Sequence, residues 1–215
     1  MSLFVDTDIK FPVPFIDLPS SISSIDIDSA YSYFLKAIST KFCTPDYTRS
    51  DHFNGSIWLR FVNKCMYPEL DTDENWGNFF KDFLKIEETP EHRKFYKDAV
   101  AFYKPYVFTL MDTLEAYTGK KHFAHGVEIN MMPAHSSIKA HTDNHPYDVQ
   151  THRVHLVLST NNDSYMICNG ERRHYDKGQC FIFNNKMRHS VHNDGDTPRT
   201  HLVIDFLQFN NWSGW

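Results

Sequence analysis

Cysteine is scarce: four residues among 215, at Cys43, Cys65, Cys168 and Cys180, and no two of them form a CxxC pair. That spacing excludes a zinc knuckle and argues against a disulfide framework. Cys168 and Cys180 sit in apolar, strand-like stretches and are expected as buried thiols, which suits a reducing, intracellular setting. No apolar run approaches the roughly 20 residues of a membrane span. The start, MSLFVDTDIK, has no basic segment leading into an apolar core, so no secretory signal is expected and the chain is assigned to the cytoplasm. Lysine and arginine form no long runs and the formal net charge is −5, which gives no support to nucleic-acid binding.

What is present is ordinary globular material with an aromatic bias. Hydrophobic residues make up 41% and charged residues 23%, so wholesale disorder is excluded. Eighteen Phe and 11 Tyr point to a core built around large flat side chains. The first half reads mainly helical. SSIDIDSAYSYFLKAISTKF offers Ser and Asp caps, then Ala30, Tyr31, Phe34, Leu35 and Ile38 at helical spacing. DENWGNFFKDFLKI repeats the pattern through Trp76, Phe79, Phe80 and Phe83. A third helix starts at Thr89-Pro90 and ends at Gly119, with Pro105 expected to interrupt or kink it. Between them, DHFNGSIWLRFV reads as strand-rich material around an Asn-Gly turn.

From about residue 122 the segments become short, often alternating, and punctuated by Gly, Asn, Asp or Pro. Seven or eight such strands predict a β-sandwich or jelly roll rather than a parallel α/β sheet. The expectation is one α+β domain over 1–215: a mostly helical part, 1–121, packed on a jelly-roll, cupin-like core, 122–209.

The polar residues of the second half are not evenly spread. Residues 139–160 hold His141, His145, His152, His155, Asp143, Asp148 and Arg153, just before an apolar run. His141 and Asp143 are two apart, so an extended segment presents both to one side. A third ligand has to come from another strand, and His189 is the best placed. Its rival His192, three residues on, would face the other way. Two His and one carboxylate form the facial set that binds Fe(II) and leaves positions for other ligands. Arg199 begins the apolar strand RTHLVIDF, where a cation is costly unless an anion meets it. Arg153 and His155 open another strand on one side. A metal, an imidazole and two guanidinium groups suit a dicarboxylate, since Arg grips carboxylates through paired hydrogen bonds.

These stretches, EINMMPAHSSIKAHTD, HRVHLVLS, NGERRHYDKGQCFIFNNKMRHSVHN and PRTHLVIDF, resemble the aspartyl/asparaginyl β-hydroxylase family of Fe(II)/2-oxoglutarate-dependent oxygenases over about Val127 to Phe206. The resemblance implies His141 and His189 as iron histidines, Arg153 and His155 near the cosubstrate, and Arg199 on its distal carboxylate. Asp143 is a departure, because the animal peptidyl hydroxylases of the family carry Gly there. It strengthens iron binding and weakens any transfer of their substrate, epidermal-growth-factor-like domains. The resemblance also implies an activity: a hydroxylase using Fe(II), 2-oxoglutarate and O2 to oxidise an unactivated C–H of an amino-acid, peptidyl or acyl substrate, releasing succinate and CO2. The alternatives are a cupin-like metal-dependent isomerase or dioxygenase that does not use 2-oxoglutarate, and a non-catalytic binding module. Bland roles are also open: Arg199 pairing with Asp205 or Asp196, Arg153 in a structural ion pair, and His135, His145 and His152 as solvated loop residues.

Overall fold

The computed structural model describes residues 11–19, 22–40, 57–62, 67, 71–84, 87–143 and 151–209. The expected Asn54-Gly55 turn, Cys43, Cys65 and His145 lie outside them. Three helices lead. α1 (Ser24–Ile38) is capped by the Ser23 hydroxyl, which accepts from the Asp26 N–H at 3.2 Å. α2 (Asp73–Asn78) passes into one π-helical turn, Phe79–Leu84. The regular period expected through Phe83 therefore stops at Asn78. Phe79 and Phe80, adjacent in the chain, are both buried beside Trp76 and Tyr96, and the wider turn accommodates that pair.

α3 (Pro90–Thr118) starts at a Thr89 cap with proline in its first turn, and ends at Gly119 in the left-handed region, φ 67°. It runs unbroken through Pro105, so the interruption expected as one outcome does not occur. Pro105 and Ala101, the residue whose carbonyl it leaves unbonded, both face solvent, where water can take the place of the missing donor.

Among the described residues, ten strands flank, separate or succeed the helices: β1 (Phe15–Leu18), β2 (Ile57–Val62), β3 (Lys121–Met132), β4 (Ser136–His141), β5 (Thr151–Ser159), β6 (Ser164–Cys168), β7 (Glu171–Arg173), β8 (Cys180–Phe183), β9 (His189–Asn193) and β10 (Arg199–Phe209). They form a six-stranded sheet, β1-β8-β5-β10-β3-β2, and a four-stranded sheet, β4-β9-β6-β7. All their pairings are antiparallel, as a jelly-roll core requires and a parallel sheet would not allow. The first half thus contributes both edge strands of the large sheet. β2 falls in the stretch read as strand-rich, whereas β1 was not legible: FIDL is four residues long between prolines and has no alternation.

The large sheet works on both faces. Its outer face packs on the helices: Val154, Leu156, Leu158, Leu202, Ile204 and Phe206 join Ile27, Ala30 and Phe34 of α1 and Tyr103, Val107 and Leu110 of α3. Its inner face meets the small sheet through Val157, Phe181 and Phe183 against Ile138, Met166 and Val191. Alternation on β5 and β10 then decides which polar residues reach the space between the sheets. Arg153, His155, Arg199 and Val203 point inward there. His152, expected as a solvated loop residue, is buried in β5 facing Phe11 and Gln208, because the strand begins at Thr151.

Leu110 is fully buried and Leu35, expected on the apolar face of α1, is 41% exposed. Leu110→Ala should cost about 2–5 kcal/mol in urea denaturation, and Leu35→Ala no more than about 0.5 kcal/mol.

Candidate active site

One end of the space between the sheets opens into a cavity of about 150 Å³, room for roughly ten waters at 10–15 Å³ each. His141, Asp143 and His189 stand together in it, one ligand atom from each lying within 4.8 Å of the others. Asp143 Oδ1 is 3.4 Å from His141 Nε2 and 3.8 Å from His189 Nε2, and the two rings are 4.3 Å apart.

The positions are set by strand registers. His189 and Val191 share the inner face of β9, while His192 faces out and stacks on Tyr165 at 4.7 Å. On β4 the parity is broken. Ile138 pairs with Val191 and His141 with His189, so three steps on β4 match two on β9. This bulge puts both Ile138 and His141 into the cavity although they are an odd number of residues apart. Asp143 lies just past the strand end, where its backbone N–H donates to the Asn185 carbonyl at 3.0 Å.

Hydrogen bonds fix the chemistry of these donors. His141 Nδ1 lies 2.7 Å from the Lys139 carbonyl and His189 Nδ1 lies 2.9 Å from that of Met187. A carbonyl only accepts, so each Nδ1 carries a proton, and each Nε2, once it gives up any proton of its own, offers a lone pair to the centre. Asp143 Oδ2 is occupied by the Arg153 guanidinium at 2.7 Å and the Asn185 amide at 3.1 Å, which leaves Oδ1 facing the two imidazoles. Burial works to raise the Asp143 pKa. The His141 hydrogen bond and the charges of Arg153 and His189 outweigh it and hold the carboxyl below the usual carboxylate range. The same bond to Asp143 raises His141, whereas burial lowers His189.

The two expected arginines differ. Arg153 is paired with Asp143 and also with Asp205, at 2.8 and 3.0 Å. Arg199 pairs with neither Asp205, which is taken by Arg153, nor Asp196, which meets His135. It is 4% exposed, its Nε has no partner, and burial lowers its pKa to about 10. His155 is buried on the same wall, with burial and the nearby Arg199 charge holding its pKa well down.

Asn130, Glu128 and Asn185 were not picked out from the sequence. Asn130 is 3% exposed, lines the cavity, and has no partner for Nδ2. The signal for it was a polar residue in the inward phase of EINM, between apolar neighbours.

Residues 69–208, well over half of the chain, match the family model of aspartyl/asparaginyl β-hydroxylase. The chain belongs to that family. The match begins well before the motif-bearing stretch and takes in α2 and α3 as well. Among solved structures, a non-heme monooxygenase, ThoJ, in complex with nickel is 16% identical, with a TM-score of 0.53 over 94% of this chain and 77% of that one. A Pseudomonas putida prolyl-4-hydroxylase is 10% identical, with a TM-score of 0.52 over 94% and 95% of the two chains. At such identities the likeness is one of fold. No curated protein matches the chain. Family and fold together support an oxygenase of the Fe(II)/2-oxoglutarate type, and no helix among the described residues is long and apolar enough to cross a membrane.

Because the Asp143 carboxyl titrates lower in the folded than in the unfolded chain, it stabilises the fold above about pH 4. That contribution fades on acidification. Metal-free protein should lose melting temperature between about pH 5 and pH 3, and Asp143→Asn should flatten that part of the profile, as read by scanning calorimetry.

Proposed function

We propose that the protein is an Fe(II)/2-oxoglutarate-dependent hydroxylase acting on an unactivated C–H of an amino-acid, peptidyl or acyl substrate. One observation carries this reading: a two-His, one-carboxylate donor set and a buried Arg199 with an unpartnered Nε line the same cavity. The donor set fits iron, because two imidazole lone pairs and one carboxylate oxygen form the facial arrangement that Fe(II) oxygenases use. Arg199 fits a carboxylate, because a buried guanidinium without an anion is unfavourable and a carboxylate supplies both charge and paired acceptors.

In this reading His141, Asp143 and His189 hold the metal and Arg199 grips the distal carboxylate of 2-oxoglutarate. Arg153 keeps Asp143 ionised and turned so that Oδ1 serves the metal. His155 and Asn130 line the cosubstrate's part of the cavity. Bound iron supplies the redox chemistry by which O2 and 2-oxoglutarate become CO2 and succinate while the substrate gains a hydroxyl. The protein contributes orientation, and apolar walls such as Phe183, Met166 and Val191 that limit water. A cupin-type isomerase or dioxygenase needs the donor set but has no use for a buried guanidinium, so Arg199 separates the two.

The direct test is succinate release from 2-oxoglutarate with Fe(II) and ascorbate, across amino acids, peptides and acyl compounds. His141→Ala and His189→Ala should each abolish tight Mn(II) binding in calorimetry, and the outward-facing His192→Ala should leave it intact. Arg199→Met should weaken 2-oxoglutarate roughly a hundredfold or more, from the loss of two charge-assisted hydrogen bonds. Arg199→Lys should recover part of that. Unchanged cosubstrate affinity in Arg199→Met would sink the oxoglutarate reading in favour of the cupin type.

A further inference from the structure

A second pair of histidines lies deeper on the inner face of the large sheet. His155 of β5 and His201 of β10 are both buried, and their Nδ1 atoms are 3.2 Å apart. An imidazole nitrogen either donates or accepts, so a contact of this kind needs one proton between the rings. Burial and the Arg199 charge keep both rings neutral, with one N–H each. Whichever ring donates therefore sets the tautomer of both.

The consequence shows at the far side of His155. Its Nε2 is buried with no partner in the protein, and the residue lines the same cavity as Arg199 and Asn130. The ring is held in place, stacked on Phe181 at 4.9 Å and 15° and edge-on to Phe183 at 5.4 Å. If His155 donated to His201, its Nε2 would turn a lone pair toward the cavity. If His201 donates, Nε2 carries a proton. The other unpartnered atoms on that wall, the Arg199 Nε and the Asn130 Nδ2, are both donors. An anion that satisfies them would be repelled by a lone pair beside them and bound by an N–H.

We propose that His201 is a positioning residue. It donates its Nδ1 proton to His155 and so fixes the His155 Nε2–H as a donor for a carboxylate oxygen of the bound cosubstrate. The proposal rests on reading the cavity as a 2-oxoglutarate site. His201 does not itself line the cavity and acts through His155. Its presence also explains why a second imidazole, rather than an apolar residue, stands in a buried position beside a cation.

The test uses the full chain loaded with Zn(II), which is diamagnetic, and labelled with ¹⁵N-histidine. The His155 signals are assigned by their loss in His155→Gln. The expected spectrum has the His155 proton on Nε2 and a bare Nδ1, with and without 2-oxoglutarate. In His201→Leu the proton should shift toward Nδ1 and 2-oxoglutarate affinity should fall about tenfold or more, with Zn(II) affinity unchanged. His201→Asn, whose short amide can donate in the same place, should restore the tautomer and most of the affinity. A wild-type His155 protonated on Nδ1 would overturn the proposal even if the Leu variant failed to fold. Equal losses in the Leu and Asn variants would overturn it too, since they would mark a packing role. Failure of the wild type to bind 2-oxoglutarate would instead overturn the reading of the cavity, and the nitrogen spectrum of the metal-loaded protein separates the two results.

Discussion

The arrangement depends on one half-buried cation, the guanidinium of Arg153. It rises from the inner face of the large sheet and meets Asp205 of a neighbouring strand on one side and Asp143, at the rim of the small sheet, on the other. Desolvation of such a group is costly, and two carboxylates offset it. The geometry has a second effect. By occupying Asp143 Oδ2 together with Asn185, Arg153 leaves Oδ1 as the free oxygen and points it at two imidazole lone pairs. An ion pair between sheets thus sets the orientation of a metal-ligand candidate, and the backbone bond from Asp143 to Asn185 holds the same segment from below.

Much of this was legible because it depends on short-range periodicity. Caps at Thr89 and Gly119 bound α3 where expected, and two-residue alternation placed Arg153 with His155 and separated His189 from His192. What was not legible came from beyond the local pattern. Pro105 is tolerated because the carbonyl it strands faces solvent, a fact of tertiary placement. His152 looked like a loop residue because pairing with β10, not local propensity, starts β5 two residues before the apolar run. The bulge in β4 cannot be read from AHSSIKAH, since it exists only relative to β9.

The two inward arginines show the same limit in the site. Nothing local distinguishes Arg153 from Arg199, as both open apolar strands. Register across three strands gives Asp205 to one and leaves the other with an unpartnered Nε in a cavity. Asn130 was passed over for a related reason. A single amide in an apolar strand reads as a packing compromise until it is known to line one cavity with Arg199 and His155.

The bulge also bears on how the chain compares with its relatives. Lys139 and Ala140, which form it, are exposed, so almost any side chain would serve there. Their number is tied to the bulge. With two residues between Ile138 and His141, only the bulge keeps the His141 ring on the cavity face, whereas a single residue between them would keep it there by regular alternation. The two positions are therefore free in identity, and their count is free only together with the pairing to β9. In an alignment a substitution here carries little meaning, and a one-residue gap would mark a relative that reaches the same set of ligands through a straight strand.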